Sequence, residues 1–512
     1  MARRARRTGT ARTEAATASV VHQKPFRALS VPFGPIPLIS QDEVEAMHEA
    51  SLTVLEEIGL NFLLPEAREM LAKAGADVDP NSSRVRFDRG FIDQMLSTVP
   101  REFTLHARNP AHNVTLGGNR FAICSVASAP NYSDMEFGRR RGDFQGYKDL
   151  MRLVQYFNIC HLPGGYPVEP VDIPTPMRHI EAGVAAVELT DKVLYAYSLG
   201  RDRVLDMLEV AKLSRGIDDA TLERETSLWS VINANSPLQY DTPMLWGIIE
   251  LSKRNQAICI TPFTLSGAMA PVTIPGALVQ QNAEALAGIA FTQVVRPGAP
   301  VIYGGFTSNV DMKSGSPAFG TPEAVQATMI SGQLARRYGI PFRASNVNAS
   351  NAPDAQATYE AQMSIWACML GHVNLMMHGL GWLEGGLCAS FEKFIIDAEM
   401  LQMASELMQK PVINEDTLGL DAIREVGPGG HYFAAKQTLS RYEDAFYDPI
   451  LSDWRNFETW QDDGARTATE RAHILYKKIL ANFKPPALED DRREALHAFM
   501  AKREAEGGAP MQ

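Results

Sequence analysis

The residues best suited to chemistry concentrate in one polar stretch, Phe342 to Glu360, which reads FRASNVNASNAPDAQATYE. Its small polar side chains, Ser345, Asn346 and Asn348 among them, lie between a segment typical of a core strand and one typical of a core helix. Because every buried polar group must find a partner, this content favours a hydrated cavity or a ligand site over a packed core. An ordinary polar loop is the alternative for any single residue.

Aromatic and acidic residues recur beside that stretch and at the ends of other apolar segments. They are Tyr240, Phe263, Phe306, Tyr359, Trp382, Phe391 and Tyr432, with the acids Glu360, Glu384, Glu415 and Asp416. This composition suits a quaternary ammonium ligand, which has no N–H to donate and is held by ring faces and diffuse negative charge, at about 0.5–2 kcal/mol per ring. Core packing is the simpler explanation for any one ring, so only the cluster is informative.

Four residues raise the alternative of a zinc site: Cys368, His372, His378 and Cys388. Cys368 and His372 are spaced i,i+4, which places them on one helix face, and a thiolate with an imidazole is zinc-binding chemistry. The spacing matches no common zinc pattern, however, and packing explains a cysteine in the middle of a helix. We therefore predict no metal site and keep zinc-assisted catalysis as an alternative.

The sequence lacks the residues or motifs that several other common catalytic mechanisms require. No lysine lies in the strand-like segments, which argues against a Schiff-base mechanism. The glycine-rich GPGGH at Gly427–His431 fits neither a P-loop nor a dinucleotide-binding pattern. No G-x-S-x-G motif is present, although the sequence does not exclude a Ser-His-Asp triad.

Eight short apolar segments bounded by Gly, Pro or Asn predict the strands that must position these residues. They are Asn158–Gly165, Val193–Gly200, Leu228–Pro237, Ala257–Gly267, Pro300–Thr307, Pro341–Asn346, Val373–Gly381 and Pro411–Asp416. Helix-like segments separate them, and the clearest has Thr321 as N-cap, Pro322 at its first position and Gly339 past its end. This alternation predicts an α/β fold of the TIM (β/α)8 barrel type, with an open doubly wound sheet as the alternative.

The barrel prediction divides the chain into four parts. Residues 1–40 are predicted to be a flexible basic arm, 41–148 an N-terminal helical and β extension, 149–447 the barrel, and 448–512 a C-terminal helical extension. Active sites of this fold lie at the C-terminal ends of the strands. The polar stretch and most of the candidate rings are expected to meet there.

Composition and charge exclude several classes of protein. Of 512 residues, 45% are hydrophobic, which is ample for a core, and the formal charge of −11 argues against a general nucleic-acid binder. The five cysteines form no C-x-x-C pair, the N-terminus has no apolar signal region, and no apolar run reaches the roughly 18 residues of a membrane span. We expect a soluble cytoplasmic protein that binds neither nucleic acid nor membrane and forms a homo-oligomer.

Four longer motifs resemble the trimethylamine methyltransferase family. They are Ala270–Gly305, Asn351–Glu360, Val426–Phe433 and Leu451–Trp460. The resemblance covers nearly all of the chain from about residue 40 onward. It implies a TIM barrel that delivers a methyl group from an amine to the cobalt of a separate corrinoid protein docked at the barrel mouth, with no tightly bound cofactor of its own.

One departure from the family pattern changes the implied substrate. Archaeal trimethylamine members carry pyrrolysine just ahead of their equivalent of PDAQATYE, whereas this chain has Val347 or Asn348 there. Members without pyrrolysine are associated with quaternary amines. The resemblance therefore implies a methyltransferase that moves a methyl group from glycine betaine or a related betaine to Co(I). A zinc-dependent thiol or corrinoid methyltransferase and a non-catalytic quaternary-amine binding protein are the alternatives.

The resemblance and the strand ends together predict the site residues. Catalytic roles are predicted for His431, Asn348 and Glu360. Substrate contacts are predicted for Tyr240, Phe263, Phe306, Arg343, Ser345, Asn346, His378, Trp382, Glu384 and Tyr432. Arg343 is a candidate donor to a betaine carboxylate, and His431 is expected to contact either the substrate or the docked corrinoid.

Overall fold

The computed structural model describes residues 20–510, and its central feature is one curled sheet of eight strands. Across the sheet the order is Leu29–Ser30, Arg120–Ser125, Leu375–Leu380, Phe342–Ser345, Val301–Gly304, Ala257–Pro262, Leu228–Ala234 and Leu194–Tyr195. All neighbours pair in parallel except the first strand, which is antiparallel to the second. The parallel strands are short and mostly buried, as expected where both faces of a sheet are covered.

The curl brings side chains from both ends of the sheet into one apolar cluster on its inner face. Members of this cluster include Cys124, Leu162, Val193, Trp229, Cys259, Ile302 and Leu375. Leu162 also forms a parallel bridge with Cys124. The predicted α/β fold is thus confirmed as a curled, mainly parallel sheet. Closure into a TIM barrel stays a prediction, because no ladder among the described residues joins Leu194–Tyr195 to Arg120–Ser125.

Two predicted strands are wrong: Asn158–Gly165 forms only an isolated bridge at Leu162, and Pro411–Asp416 forms no strand. Within Pro411–Asp416, Val412 and Ile413 are 69% and 77% exposed, and the helix Glu415–Leu418 begins inside the segment. Arg120–Ser125 lies in the sheet instead, buried along nearly its whole length. The predicted boundary at residue 149 therefore falls after a strand of the central sheet.

Long helices cover the outer face of the sheet. They are Phe144–Tyr156, Arg178–Leu189, Arg201–Arg215, Thr242–Lys253, Ile274–Val295, Pro322–Tyr338, Ala355–Leu370 and Phe391–Leu407. The predicted caps of one of them are confirmed, because the Thr321 hydroxyl accepts from the Ala324 N–H and Gly339 ends the helix at φ +68°. None of the helices within residues 20–510 is long and apolar enough to cross a membrane.

Smaller elements surround this framework. The remaining helices are Gln41–Thr53, Pro65–Ala74, Arg89–Leu96, Asp219–Arg224, Glu415–Leu418, Leu420–Val426, Lys436–Arg441, Phe457–Asp462, Ala468–Ala481 and Asp490–Ala505, with short turns at Val54–Ile58, Pro110–His112 and Glu384–Gly386. The small sheets comprise Leu60–Phe62, Asp77–Val78, Arg84–Arg86 and Gln239–Tyr240; Glu102–Leu105 and Val114–Gly117; Leu265–Ser266, Ser308–Val310 and Pro317–Ala318; and Asn131–Asp134, Gly138–Arg141, Trp382–Leu383 and Cys388–Ser390. Helices such as Gln41–Thr53 and Ala468–Ala481 thus lie before and after the region predicted to be the barrel.

The predicted N-terminal arm needs a correction for residues 20–40. Leu29 and Val31 are each 2% exposed, and Leu29–Ser30 pairs with the central sheet. Arg27 forms an ion pair with Glu406. This part of the arm packs on its own chain because it carries apolar residues that the sheet edge can bury. Residues 1–19 lie outside the described part of the chain.

We expect the protein to lose stability as the pH falls below about 6.5, because His161 is buried in its neutral form. Its Nδ1 accepts from the Ile123 N–H at 3.1 Å, and its Nε2 lies 3.0 Å from the Arg27 carbonyl oxygen. Burial lowers the pKa of His161 to about 4. Between these two values the unfolded chain binds a proton that the native chain does not, so acid favours unfolding, by about 3 kcal/mol in full.

Urea unfolding at pH 7 and pH 5 measures this effect. The variant His161→Gln keeps an amide that can accept from Ile123 and donate to Arg27, but it has no proton to gain. The difference in unfolding free energy between the two pH values should shrink in this variant by about 2 kcal/mol. An unchanged difference would remove His161 as the cause.

Candidate active site

The C-terminal ends of the parallel strands place a set of side chains on the inner face of the curled sheet. Residues two apart on a strand share a face, so Tyr195 lies on the same side as Val193 of the inner cluster. Arg343 pairs in register with Gly304 on one side and with Leu375 of that cluster on the other. Both side chains therefore lie at the inner, C-terminal rim of the sheet.

Five rings from three strand ends and an adjoining loop form one group, the phenylalanine–tryptophan group: Phe263, Phe306, Phe319, His378 and Trp382. The ring centroids of Phe263 and Phe306 are 5.0 Å apart, those of Phe306 and His378 5.9 Å, and those of His378 and Trp382 4.2 Å. Phe319 stacks on Phe306 at 5.6 Å. Four of these rings are predicted substrate contacts, and the structure brings them together.

Arg343 is a buried cation with no acidic partner. Arg343 is 2% exposed, and no carboxylate of the described residues lies within ion-pair distance of its guanidinium. The guanidinium carbon lies 4.8 Å from the Phe306 ring centroid, and Nη1 donates to the Gly305 carbonyl oxygen at 3.1 Å. Its Nε has no partner. Burial lowers the pKa of Arg343. A desolvated, unpaired guanidinium is costly, and an anion bound beside it would offset that cost.

His378 presents a free donor beside Arg343. Its Nε2 lies 3.3 Å from Arg343 Nη2, and a guanidinium only donates, so Nε2 accepts and Nδ1 carries the proton. Nδ1 is buried and has no partner. Burial, with the nearby charge of Arg343, holds the pKa of His378 well below its ordinary value. The residue also has a left-handed φ of +56°, and such strain in a non-glycine residue is concentrated at functional sites.

The small polar residues after the strand Phe342–Ser345 connect neighbouring strand ends. Asn346 Nδ2 donates to the Gly379 carbonyl oxygen at 3.0 Å. Asn348 Nδ2 donates to the Trp382 carbonyl oxygen at 2.7 Å, and Trp382 Nε1 donates back to the Asn348 carbonyl oxygen at 3.1 Å. These bonds fix the segment that carries Trp382. The Ser345 hydroxyl and the side-chain oxygen of each asparagine have no partner.

Glu360 is occupied by the loop that precedes it. Its Oε2 accepts from the Ala349 and Ser350 N–H groups at 2.8 and 3.0 Å, and Gln356 donates to Oε1 at 2.8 Å. Glu360 is 8% exposed, and these hydrogen bonds to its carboxylate hold the polar loop in place. The geometry gives it a positioning role, and its predicted catalytic role stays a prediction.

Four predicted site residues have partners other than the rings of the rim or lie on an exposed segment. Tyr240 is fully buried, packs on Phe62 at 5.5 Å and donates to the Glu284 carbonyl oxygen. Glu384 pairs with Arg139 at 2.9 Å. His431 and Tyr432 lie on an exposed segment. The ring centroids of His431 and Phe433 are 5.9 Å apart. Their roles stay predictions.

A second group, the tyrosine group, is absent from the sequence prediction: Tyr166, Tyr195 and Tyr197 with Glu169. The ring centroids of Tyr166 and Tyr197 are 4.3 Å apart, and those of Tyr195 and Tyr197 5.4 Å. The Tyr197 hydroxyl donates to Glu169 Oε1 at 3.1 Å, and burial raises the pKa of Glu169. The i,i+2 spacing of Tyr195 and Tyr197 at a strand end is the signal that could have revealed it.

Both groups border the inner face of the sheet. Tyr195 packs against the inner apolar cluster, and Arg343 pairs in register with Leu375 of the same cluster. Tyr195, Tyr197, Phe263 and Phe306 all keep partial exposure. The inner face thus carries an unpaired cation at Arg343 and, at Tyr195, a group of three tyrosine rings with a carboxylate.

The four residues considered for zinc do not form a metal site. Cys368 Sγ contacts the Ser345 carbonyl oxygen at 3.7 Å, while His372 Nδ1 lies 3.2 Å from Asn119 Oδ1. Within residues 20–510, no three His, Cys, Asp or Glu side chains converge in a way that could hold a metal ion. The zinc alternative therefore has no ligand set among these side chains.

A curled parallel sheet with converging rings, an unpaired guanidinium and a desolvated carboxylate on its inner face has the features of a small-molecule site. The match to known proteins makes this specific. The chain belongs to the trimethylamine methyltransferase family, whose model matches residues 3–508. It is therefore a methyltransferase, and the resemblance found in its motifs is confirmed.

Individual relatives cover almost the whole chain. A glycine betaine methyltransferase of Desulfitobacterium hafniense (strain Y51) is 37% identical over 472 residues, which are 92% of this chain and 98% of the relative. A trimethylamine methyltransferase of Desulfitobacterium hafniense (strain DSM 10664 / DCB-2) is 27% identical over 473 residues, 92% of this chain and 94% of the relative. A crystal structure of the Methanosarcina barkeri monomethylamine methyltransferase aligns with a TM-score of 0.45 and 10% identity, covering 91% of this chain and 93% of that one.

Proposed function

We propose that this enzyme transfers a methyl group from a zwitterionic quaternary amine, glycine betaine or a related betaine, to the Co(I) of a separate corrinoid protein. The observation that carries the proposal is the buried Arg343, which no described carboxylate pairs and which borders the same inner cluster as Tyr195 of the tyrosine group. A zwitterion with one cationic and one anionic end complements this arrangement. The 37% identical relative named a glycine betaine methyltransferase supports it.

Each end of a betaine has a fitting partner. The trimethylammonium has no N–H, so it is held by the faces of Tyr166, Tyr195 and Tyr197 and by the charge of Glu169. The betaine carboxylate accepts charge-assisted hydrogen bonds from Arg343. The neighbouring His378 offers an additional donor at Nδ1. Trimethylamine lacks a carboxylate and would leave Arg343 unpaired. The short Val347–Asn348 segment, where relatives carry pyrrolysine, favours the same conclusion.

The proposed reaction requires no proton transfer from the protein. The C–N bond breaks with its electron pair going to nitrogen, which was already cationic, so a neutral tertiary amine leaves and no general acid is needed. The methyl group bonds to cobalt, and Co(I) becomes methyl-Co(III). The protein holds the methyl group in line and keeps water out. The corrinoid is a substrate supplied by a partner that docks at the strand ends, and its Co(I) state suits a reducing cytoplasm.

The direct experiment combines the purified enzyme, a corrinoid protein reduced to Co(I), and a panel of glycine betaine, other betaines, carnitine, choline and trimethylamine. Methyl-Co(III) absorbance should appear with at least one carboxylated quaternary amine and not with trimethylamine. Methylation from trimethylamine alone would overturn the proposal. Binding of betaine with no transfer to any corrinoid protein would identify a non-catalytic binding protein.

We expect Glu169→Gln to raise KM for glycine betaine roughly 10-fold, about 1.4 kcal/mol, with little change in kcat. The carboxylate stabilises the positive charge of the bound amine, and much of that charge is still on the nitrogen in the transition state, so both states lose stabilisation alike and the loss falls on KM. Burial raises the pKa of Glu169 above 4.5. As the pH is lowered, acid protonates the Glu169 carboxyl of the wild type and KM rises. Because its pKa is raised, this rise should begin at a higher pH than it would for an exposed glutamate.

Steady-state kinetics from pH 5 to 8 check this. The variant should show a flat KM across that range. Glu181→Gln is a matched control, since burial also raises the pKa of Glu181 but the residue lies on the helix Arg178–Leu189. An acid rise in KM that persists in Glu169→Gln would assign the effect to another group.

A further inference from the structure

The loop that follows the strand Arg120–Ser125 carries a residue with an unusual backbone conformation. Ser128 has a φ of +62°, in the left-handed region that glycine adopts without steric cost and serine does not. Such a conformation persists in a non-glycine residue only where the surrounding structure holds it, and it is concentrated at functional sites. Glycine would meet the same backbone demand with less strain, so the presence of serine points to a role for its hydroxyl.

This loop is joined by its backbone to the segment that carries part of the tyrosine group. The Ser128 N–H donates to the Tyr166 carbonyl oxygen at 2.7 Å. The next residue, Ala129, forms a parallel bridge with Val168, and its carbonyl oxygen accepts from the Glu169 N–H at 2.9 Å. The backbone of Ser128 is therefore fixed beside two members of the tyrosine group.

The side chain of Ser128 bonds to a third member, Tyr197. Its hydroxyl and the Tyr197 hydroxyl are hydrogen-bonded, and the Tyr197 hydroxyl also lies 3.1 Å from Glu169 Oε1. When Glu169 is ionised, its carboxylate only accepts, so Tyr197 donates its hydroxyl proton to Glu169. Tyr197 must then accept the proton of the serine hydroxyl. The hydrogen bonds therefore run in one direction, from the exposed Ser128 through Tyr197 to Glu169.

The ring of Tyr197 is held less firmly by packing than the ring of Tyr166. Tyr166 is 8% exposed, whereas Tyr197 keeps partial exposure. The planes of the two rings are tilted by 46°, and the plane of Tyr195 is at 80° to that of Tyr197. A cation is attracted to the face of a ring, so its binding depends on the plane in which the ring is held. Hydrogen bonds at the hydroxyl, the far end of the side chain, fix that plane before the ligand arrives.

We propose that Ser128 is a positioning residue of this enzyme, whose hydroxyl fixes the ring of Tyr197 in the orientation that meets a quaternary ammonium. This role rests on the proposed function, which assigns the tyrosine group to the cationic end of a betaine. Ser128 takes no part in breaking the C–N bond. Loss of its hydroxyl should therefore weaken substrate binding and leave the rate of methyl transfer from the bound complex nearly unchanged.

Three variants separate the side chain of Ser128 from its backbone. Ser128→Gly and Ser128→Ala remove the hydroxyl, and each should raise KM for glycine betaine roughly fivefold, the scale of one neutral hydrogen bond, with little change in kcat. Ser128→Gly should keep Tm near that of the wild type, because relieved strain offsets the lost bond. Ser128→Thr keeps the hydroxyl and should keep KM near that of the wild type, although a branched side chain at this φ should lower Tm. A purely structural residue would make KM follow Tm.

A matched control and a double-mutant cycle locate the effect. Ala465, after the helix Phe457–Asp462, also has a left-handed φ of +51°, so Ala465→Gly relieves similar strain and should leave KM unchanged. Tyr197→Phe removes the hydroxyl to which Ser128 donates. In that background Ser128→Ala should raise KM no further, because its effect passes through the missing bond.

Calorimetric titration of glycine betaine into the enzyme without a corrinoid protein measures the binding directly, and Kd should rise by the same factor as KM. Three results would overturn the role of Ser128 and leave the proposed function standing: Ser128→Gly binding betaine as tightly as the wild type, KM following Tm across the three variants, or additive effects in the cycle. A wild type that neither binds betaine nor methylates cobalt from any betaine would overturn the proposed function itself, and this role with it.

Discussion

Replacing Arg343 by Met should lower kcat/KM for glycine betaine roughly 100-fold, or about 3 kcal/mol, and at the same time stabilise the fold. The substitution keeps an unbranched apolar side chain but removes the only charge proposed to meet the betaine carboxylate. In the free enzyme the same charge is desolvated, with no carboxylate partner among the described residues. Its loss should therefore raise the unfolding free energy by about 1–2 kcal/mol.

The substrate panel supplies the control for Arg343→Met. Tetramethylammonium and choline carry a quaternary nitrogen without a carboxylate, so whatever activity they support should change little. Arg343→Lys should recover only part of the betaine activity, because an ammonium cannot make the bidentate contact of a guanidinium. Equal losses with carboxylated and uncarboxylated substrates would contradict an anion-binding role and leave Arg343 a structural residue.

The sequence predicted the parts of the fold that depend on local pattern. The helix after Thr321 has a capping residue, a proline and a terminal glycine, all visible in the chain, and the structure confirms each. The error at Pro411–Asp416 has a different origin. PVINED and the RFAICS of Arg120–Ser125 are both short apolar runs, and only tertiary burial distinguishes them. Which run enters the sheet depends on contacts far apart in sequence.

The site was predictable where it follows from strand ends. Arg343, Phe306 and His378 lie where the rule for parallel strands places them. The contacts of Glu360 were not predictable, because they depend on the path of the loop between Asn346 and Asp354. The tyrosine group was missed because Glu169 and Tyr166 are far in sequence from the polar stretch Phe342–Glu360, and only the folded chain places their partner Tyr195 at the inner cluster that Arg343 also borders.

Asp397→Asn should be the most destabilising single change near the site, at about 3–5 kcal/mol. Asp397 and its ion-pair partner Lys393 are both fully buried on the helix Phe391–Leu407. The change leaves the Lys393 ammonium desolvated and without its countercharge. Burial raises the pKa of Asp397, yet the carboxylate is kept ionised by that ammonium and by the Gly381 N–H, which donates to Oδ2 at 2.8 Å.

The pair also links stability to the site, and a double variant separates the two effects. Lys393→Met with Asp397→Leu removes both charges and should restore most of the unfolding free energy. The Gly381 N–H would still lack its acceptor, and Gly381, at φ +93°, directly precedes Trp382. Urea unfolding should therefore show recovery while kcat/KM for betaine stays reduced. Recovery of activity together with stability would show that Trp382 is positioned by Asn348 alone, through the bonds at 2.7 and 3.1 Å.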